Sequence, residues 1–359
     1  MKDSLLLQDY NPISMMTVKE TEVLKPKFPV FDAHTHIGAL QPKELGAPLF
    51  AEPKDLDSII EALKEAGVFG IINLKMFWGE ALKAHLKSLE KYGDFIRTFG
   101  SVDVRRLEEP DFPVYVDSLL KEFKSMGIHG LKLWKTIGCT LKDSSGKYVL
   151  PDDERLRPIW DAAAKYKLLI LFHVADPKSF FTPVDGRNEF YESLCENPDW
   201  SFYGNGHYSF EELMQAQDNM IGRNPDTTFV IPHVGSYAEN LAWVGAQLDK
   251  HANMHIDISA RNNLLGRQPY TAREFFLNYQ DRILFGTDFG FSDAEFVKSF
   301  YANHYRFLET YDEYFRVIRN GGASWNQGRW NIYGLGLPDD VLKKVYAENA
   351  LRLLKSVGA

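Results

Sequence analysis

Cysteine is scarce in this chain, whose 359 residues include only Cys139 and Cys195. That count excludes both a disulfide framework and a cysteine-rich zinc site, and the two thiols read as small buried hydrophobes. Long apolar runs are missing too. No stretch approaches the roughly 18 apolar residues of a membrane helix. Positive charge is in deficit, with a formal net charge of −8. No Lys/Arg-rich run offsets it, so neither a membrane nor a nucleic acid is the expected partner. Internal repeats and low-complexity tracts are absent. The segment Met1 to Tyr10 turns polar after three leucines and does not read as a signal peptide. The default expectation is a cytoplasmic protein acting on a small molecule.

What is present is ordinary globular composition, 45% apolar and 25% charged, arranged with a clear rhythm. Short β-branched or aromatic runs alternate with amphipathic stretches. The runs are Val30 to His34, Val68 to Leu74, Ile96 to Val104, His129 to Trp134, Leu168 to His173, Thr228 to His233, Met254 to Ser259 and Ile283 to Thr287. Between them the spacing predicts helices over Lys54 to Ala66, Gly79 to Tyr92, Pro113 to Met126, Asp153 to Tyr166, Ser209 to Arg223, Tyr237 to Lys250 and Thr271 to Tyr279. Capping boxes at Ser209/Glu212 and Thr271/Glu274 fit helix starts. A last helix, Asp339 to Lys355, carries an apolar stripe of Val341, Leu342, Val345, Ala350, Leu351 and Leu354.

Continuous apolar runs such as Leu168 to Phe172 belong to strands buried on both faces, as in parallel sheets. Eight strand–helix units predict an α/β fold, a (β/α)8 barrel over residues 28–359, with residues 1–27 as an N-terminal arm packed outside it. Two stretches break the rhythm, 175–208 after the fifth strand and 289–337 after the eighth. Loops of that length in a compact domain are usually functional, and in a barrel they overhang the catalytic end. Together with the arm, they make a homo-oligomer an open expectation.

Chemistry in such a barrel sits at the C-terminal ends of the strands. Strand one ends in His34-Thr-His36, and side chains two apart on a strand share a face. Strand five ends at His173, strand six at Pro232-His233-Val-Gly235, and strand eight at Gly286-Thr-Asp288. Any one of these could be a structural residue. Four imidazoles and a carboxylate meeting at one rim instead describe a metal site.

Those residues resemble the amidohydrolase superfamily, in particular its amidohydrolase-related branch of hydrolases and non-oxidative decarboxylases. The resemblance rests on Asp32-Ala-His-Thr-His36, His173, His233 with Gly235, Arg282-Ile-Leu-Phe-Gly-Thr-Asp288 and Glu348-Asn-Ala-Leu-Arg-Leu-Leu354. It implies a (β/α)8 barrel with one divalent ion, usually zinc. His34, His36, His173 and Asp288 would be its ligands, and His233 would lie beside it as a polarising or proton-transferring group.

Imidazole and carboxylate donors suit Zn²⁺, with Mn²⁺ or Fe²⁺ as alternatives. A bound ion can lower the pKa of its water from about 15.7 to about 7, and Asp288 would double as ligand and general base. On the fourth strand, Lys132 and Lys135 alternate to opposite faces, so one at most is expected to point inward. Some branches of the superfamily carbamylate a lysine here to bridge two metals, whereas in the branch most resembled this lysine is not a ligand.

Arg261, after the seventh strand, could fork onto a substrate carboxylate or lie in a rim salt bridge. Asp176 and Arg187 in the fifth loop, Trp78 after the second strand, and Trp325, Arg329 and Trp330 in the last loop are further substrate-facing candidates. The leading reading is a metal-dependent hydrolase cleaving an ester, lactone or amide, with His233 stabilising the oxyanion. The alternative is decarboxylation of an aromatic or unsaturated acid, with His233 in proton transfer. A third reading, a non-enzymatic barrel with a structural metal, leaves the converging polar groups and aromatic loops unexplained.

Overall fold

The computed structural model describes residues 5–6, 9–10, 12–41, 50, 52–290, 293–319, 322–323 and 328–358. Eight parallel strands run β1 (Val30–His36), β2 (Val68–Leu74), β3 (Ile96–Phe99), β4 (Gly130–Leu133), β5 (Leu169–Phe172), β6 (Phe229–Ile231), β7 (Met254–Asp257) and β8 (Ile283–Leu284). A ninth piece, β9 (Phe289–Gly290), pairs in parallel with β1 through Thr35 and His36. The hydrogen-bonded orders are β3-β2-β1-β9 and β4-β5-β6-β7-β8. Backbone bonds cross both seams between them. Lys132 N–H donates to Gly100 O at 2.7 Å, and Ala33 N–H donates to Phe285 O at 2.9 Å. β8 and β9 are two pieces of one eighth strand, bent at Thr287-Asp288.

Two apolar layers hold the barrel. The inner one joins Phe31, Ala33, Ile72, Leu74, Phe99, Leu169, Leu171, Val230 and Leu284 to Ala347, Ala350, Leu353, Leu354 and Val357 of the final helix. That helix closes one end of the barrel and leaves the other to the loops that follow the strands. Its predicted stripe is corrected at one position, since Leu351 is 40% exposed. A π-turn at Lys344–Glu348 shifts the register between its two halves, so the 3.6-residue spacing does not carry through. The outer layer packs strand residues such as Val30, Ile71, Leu131 and Ile170 against helix residues such as Ile59, Leu63, Val116, Leu120, Ile159 and Leu213.

Three further expectations change. The third strand stops at Phe99, and Val104–Arg106 is a 3-10 turn capped by Asp103. The helix expected from Thr271 begins at Pro269, with Gln268 as its cap. Proline fits the first helical position because it has no N–H to leave unpaired. The capping box at Ser209 and Glu212 is formed. Within 289–337, a 13-residue helix, Val297–Glu309, occupies part of what reads as loop. Its aromatic-rich buried face (Phe300, Tyr301, Tyr305, Phe307) obscured the helical period. Arm residues Ile13 and Met15 are 85% and 93% exposed, and the arm is tied down at Thr21, whose N–H donates to Asp312 Oδ2 at 2.6 Å. Among the described residues, no helix is long and apolar enough to cross a membrane.

Candidate metal centre

His34 and His36 are both buried at the C-terminal end of β1. Each ring is oriented by its Nδ1–H. His34 donates to Asp257 Oδ2 at 2.8 Å, and His36 donates to the Leu74 carbonyl at 3.0 Å. With Nδ1 carrying the proton on each ring, both Nε2 atoms face one atom. His34 Nε2 lies 3.4 Å and His36 Nε2 3.0 Å from Asp288 Oδ1. The three donor atoms all lie within 4.8 Å of one another. Two imidazole lone pairs and a carboxylate oxygen meeting in a buried space fit a divalent cation of the zinc, manganese or iron type.

Asp288 reaches the group from a left-handed backbone conformation, φ 61°, which aspartate tolerates better than bulkier residues. Its N–H donates to His34 O at 2.8 Å. Gly286, two residues earlier, permits the close approach: a Cβ there would sit 2.9 Å from His34 Cβ and 3.1 Å from Asp257 Cγ. Burial alone would raise the Asp288 carboxyl, but the adjoining His34 and His36 rings outweigh it and hold the group well below the usual range. Burial lowers His36 to about 4. It also acts to lower His34, but Asp257 and Asp288 together leave that ring raised.

His233 stands in a left-handed turn (φ 57°, ψ 41°) that continues through Val234, Gly235 and Ser236. Its Nδ1–H donates to Ser259 O at 2.9 Å, so Nε2 is the free nitrogen, and burial keeps the ring neutral by lowering its pKa well below the ordinary value. A neutral ring of this tautomer accepts at Nε2. The expected donation to an oxyanion would need a second proton, which burial opposes.

His173 lies outside the three-residue group. Its ring centroid is 4.2 Å from that of His233, and its Nε2 is buried without a hydrogen-bond partner among the described residues, 3.4 Å from Asp176 Oδ1.

Lys132 lies within β4 and Lys135 two residues beyond its end. Lys132 Nζ lies 3.3 Å from His34 Nε2, and burial lowers the lysine to about 8. Lys135 sits beyond the last residue of β4, where strand alternation no longer applies. It pairs with Asp176, and its ammonium lies 5.3 Å from the centroids of both Trp134 and Phe202. Asp176, despite its burial, is held below the usual carboxylate range chiefly by Lys135.

Arg261 is 8% exposed, donates to the Ala260 carbonyl at 2.9 Å and makes no ion pair among the described residues. Burial lowers it, while the charges of Asp176, Glu239, Asp288 and Asp257 act to raise it. The other candidates stand apart from the three-residue group. Trp78 is half-buried with Arg105 5.7 Å above its ring, and Arg187 pairs with Asp185 in solvent. Arg329 pairs with Glu192, and Trp330 donates Nε1–H to Asn263 O at 2.8 Å. Trp325 falls outside the described residues.

Sequence reading overlooked Phe50, stacked on His36 at 4.4 Å, and the pair Asp257 and Ser259. Two polar residues spaced by two at the end of a buried strand were the available signal for that pair.

A family model described as amidohydrolase matches residues 32–355. The chain belongs to the amidohydrolase family. No curated protein matches it. Among solved structures, this amidohydrolase chain is similar to a TIM-barrel protein from Bordetella bronchiseptica (TM-score 0.54, 14% identity, 92% of this chain and 100% of that one). It is also similar to 2,6-dihydroxybenzoate decarboxylase from Rhizobium (TM-score 0.55, 16% identity, 92% and 100%). A third is an amidohydrolase from Burkholderia multivorans with bound zinc (TM-score 0.51, 12% identity, 91% and 99%). At these identities the likeness speaks to the fold, a (β/α)8 barrel.

Proposed function

We propose that this amidohydrolase-family chain is a mononuclear metal-dependent hydrolase that cleaves an ester, lactone or amide bond in a small organic substrate. The observation that carries the reading is the convergence of His34 Nε2, His36 Nε2 and Asp288 Oδ1. His173, whose buried Nε2 lacks a hydrogen-bond partner among the described residues, is the fourth donor in this reading, and zinc is the preferred ion. A divalent ion held there would supply Lewis acidity and acidify a water molecule to a pKa of about 7.

The chain's own groups do the rest. Asp288 is a carboxylate at neutral pH, so it can take the proton of the attacking water. Neutral His233 accepts a proton at Nε2 and passes it to the leaving group. That role fits its tautomer better than oxyanion donation.

One observation favours a second reading. Arg261 is a buried guanidinium with no ion pair among the described residues, and such a group suits a substrate carboxylate. In non-oxidative decarboxylation, Arg261 would hold the carboxylate until the C–C bond breaks. CO2 then leaves, and the carbon takes a proton drawn from solvent water and relayed through Asp288 or His233.

Zinc-loaded protein incubated with lactones, esters, amides and aromatic acids separates the two readings. Release of an alcohol, amine or ring-opened acid supports hydrolysis, and release of CO2 supports decarboxylation. No turnover in either set, with zinc bound, would overturn both.

A further inference from the structure

Asp257 is fully buried and accepts from two sides. Its Oδ2 takes the Nδ1–H of His34 at 2.8 Å. Its Oδ1 takes the backbone N–H of His233 at 3.1 Å, the N–H of Ser259 at 3.0 Å and the Ser259 hydroxyl. Ser259 completes the link, because its carbonyl receives the Nδ1–H of His233 at 2.9 Å. One carboxylate thus orients the ring of a candidate ligand and pins the backbone of the candidate proton-transfer residue.

The second task has a strain to oppose. His233, Val234 and Ser236 all have positive φ (57°, 58° and 64°), conformations that cost non-glycine residues of order 1–3 kcal/mol each. For β-branched Val234 that conformation is a true outlier. The turn persists because groups from outside hold it: Asp257 at the His233 N–H, and Gln217, whose Nε2 donates to Gly235 O at 3.1 Å.

We propose that Asp257 is a positioning residue that sets the Nδ1–H tautomer of His34 and, through Ser259, of His233, so that both rings present Nε2 to the same reaction space. The proposal rests on the metal reading above for its functional meaning. Ligating histidines are commonly oriented by an acceptor at their other nitrogen, and loss of that acceptor weakens metal binding. Asp257→Asn isolates the effect because an amide has one accepting oxygen where the carboxylate has two. With that oxygen kept by the three donors on the Ser259 side, the amide NH2 faces His34 Nδ1. His34 must then carry its proton on Nε2, the atom that would bind metal.

The test combines zinc affinity by chelator competition with histidine tautomers by 15N NMR, on wild type, Asp257→Asn and Asp288→Ala. The expected result is zinc binding weaker by about ten- to hundred-fold in Asp257→Asn, with His34 moved to the Nε2–H form in the metal-free protein. Zinc affinity within about two-fold of wild type and an unchanged His34 tautomer would overturn the proposal. If wild type and Asp288→Ala bind zinc equally, or neither binds it, the metal reading fails instead. Positioning is then decided by the metal-free wild-type spectrum. Nδ1–H on both His34 and His233 supports it and Nε2–H on either overturns it, and the same spectrum decides if Asp257→Asn does not fold.

Discussion

His36 Nε2 lies 3.0 Å from Asp288 Oδ1, across 252 residues of sequence. The first residue ends the strand that opens the barrel, and the second follows the strand that completes it. Closing the parallel sheet brings the two ends side by side, so their meeting is a direct consequence of the topology. It also makes the candidate metal site depend on barrel closure.

Removing Asp288 should therefore empty the site. Purified protein is expected to hold about one equivalent of zinc, manganese or iron per chain, and Asp288→Ala should lose most of it. Elemental analysis of both proteins checks this. About two equivalents would instead point to a carbamylated Lys132 bridging two ions.

Lys132 allows a sharper test of its own charge. Its ammonium lies 3.3 Å from His34 Nε2, where it repels a cation. Lys132→Met is expected to bind zinc at least as tightly as wild type, since the uncharged side chain removes that repulsion. Weaker binding in the variant would show that the lysine helps to build the site.

Arg261 separates substrate classes. For a substrate carrying a carboxylate, Arg261→Met should lower kcat/KM by about 10- to 100-fold, the range of a lost charged hydrogen bond. A neutral lactone or amide should be almost unaffected. Steady-state kinetics on one substrate of each kind decides the matter.

Gly286 tests the tightness of the site. A methyl group there would meet His34 and Asp257 at 2.9 and 3.1 Å. Overpacking of this kind typically costs about 1–3 kcal/mol, so Gly286→Ala should lower both the urea midpoint and zinc affinity. A variant matching wild type in both would mean that the neighbouring strands yield freely.

Acid should destabilise the metal-free protein through His255. Burial, with Arg282 and Arg352 nearby, lowers this histidine to about 3, and its Nδ1 is buried without a partner among the described residues. An unfolded histidine titrates near 6.5, so between the two values the unfolded chain binds the extra proton. Stability is then full above about pH 6.5 and falls by up to about 1.4 kcal/mol per pH unit below it. His255→Leu should flatten that slope in urea titrations run between about pH 7.5 and 5. Parallel slopes in the two proteins would place the acid sensitivity elsewhere.

Much of this was readable beforehand, for reasons of period. Apolar runs such as Leu168 to Phe172 mark strands buried on both faces, and a barrel restricts its chemistry to their ends. That rule alone singled out His34, His36, His173, His233 and Asp288. Period gives no information at Lys135, two residues past its strand, and the helix Val297–Glu309 has an aromatic-rich buried face. Spacing shows which face a side chain occupies but not which hydrogen bonds it will find.

The linear sequence therefore determined the fold class, the eight-strand order and the rim where polar groups gather, because hydrophobic period and chain connectivity are local properties. Tertiary structure decided which nitrogen of His34, His36 and His233 carries the proton. It set apart the inner group of His34, His36 and Asp288 from His173, left Arg261 without an ion pair among the described residues, and placed Asp257 between His34 and His233. These outcomes rest on contacts of a few ångströms between residues hundreds of positions apart, and only the closed barrel brings those residues together.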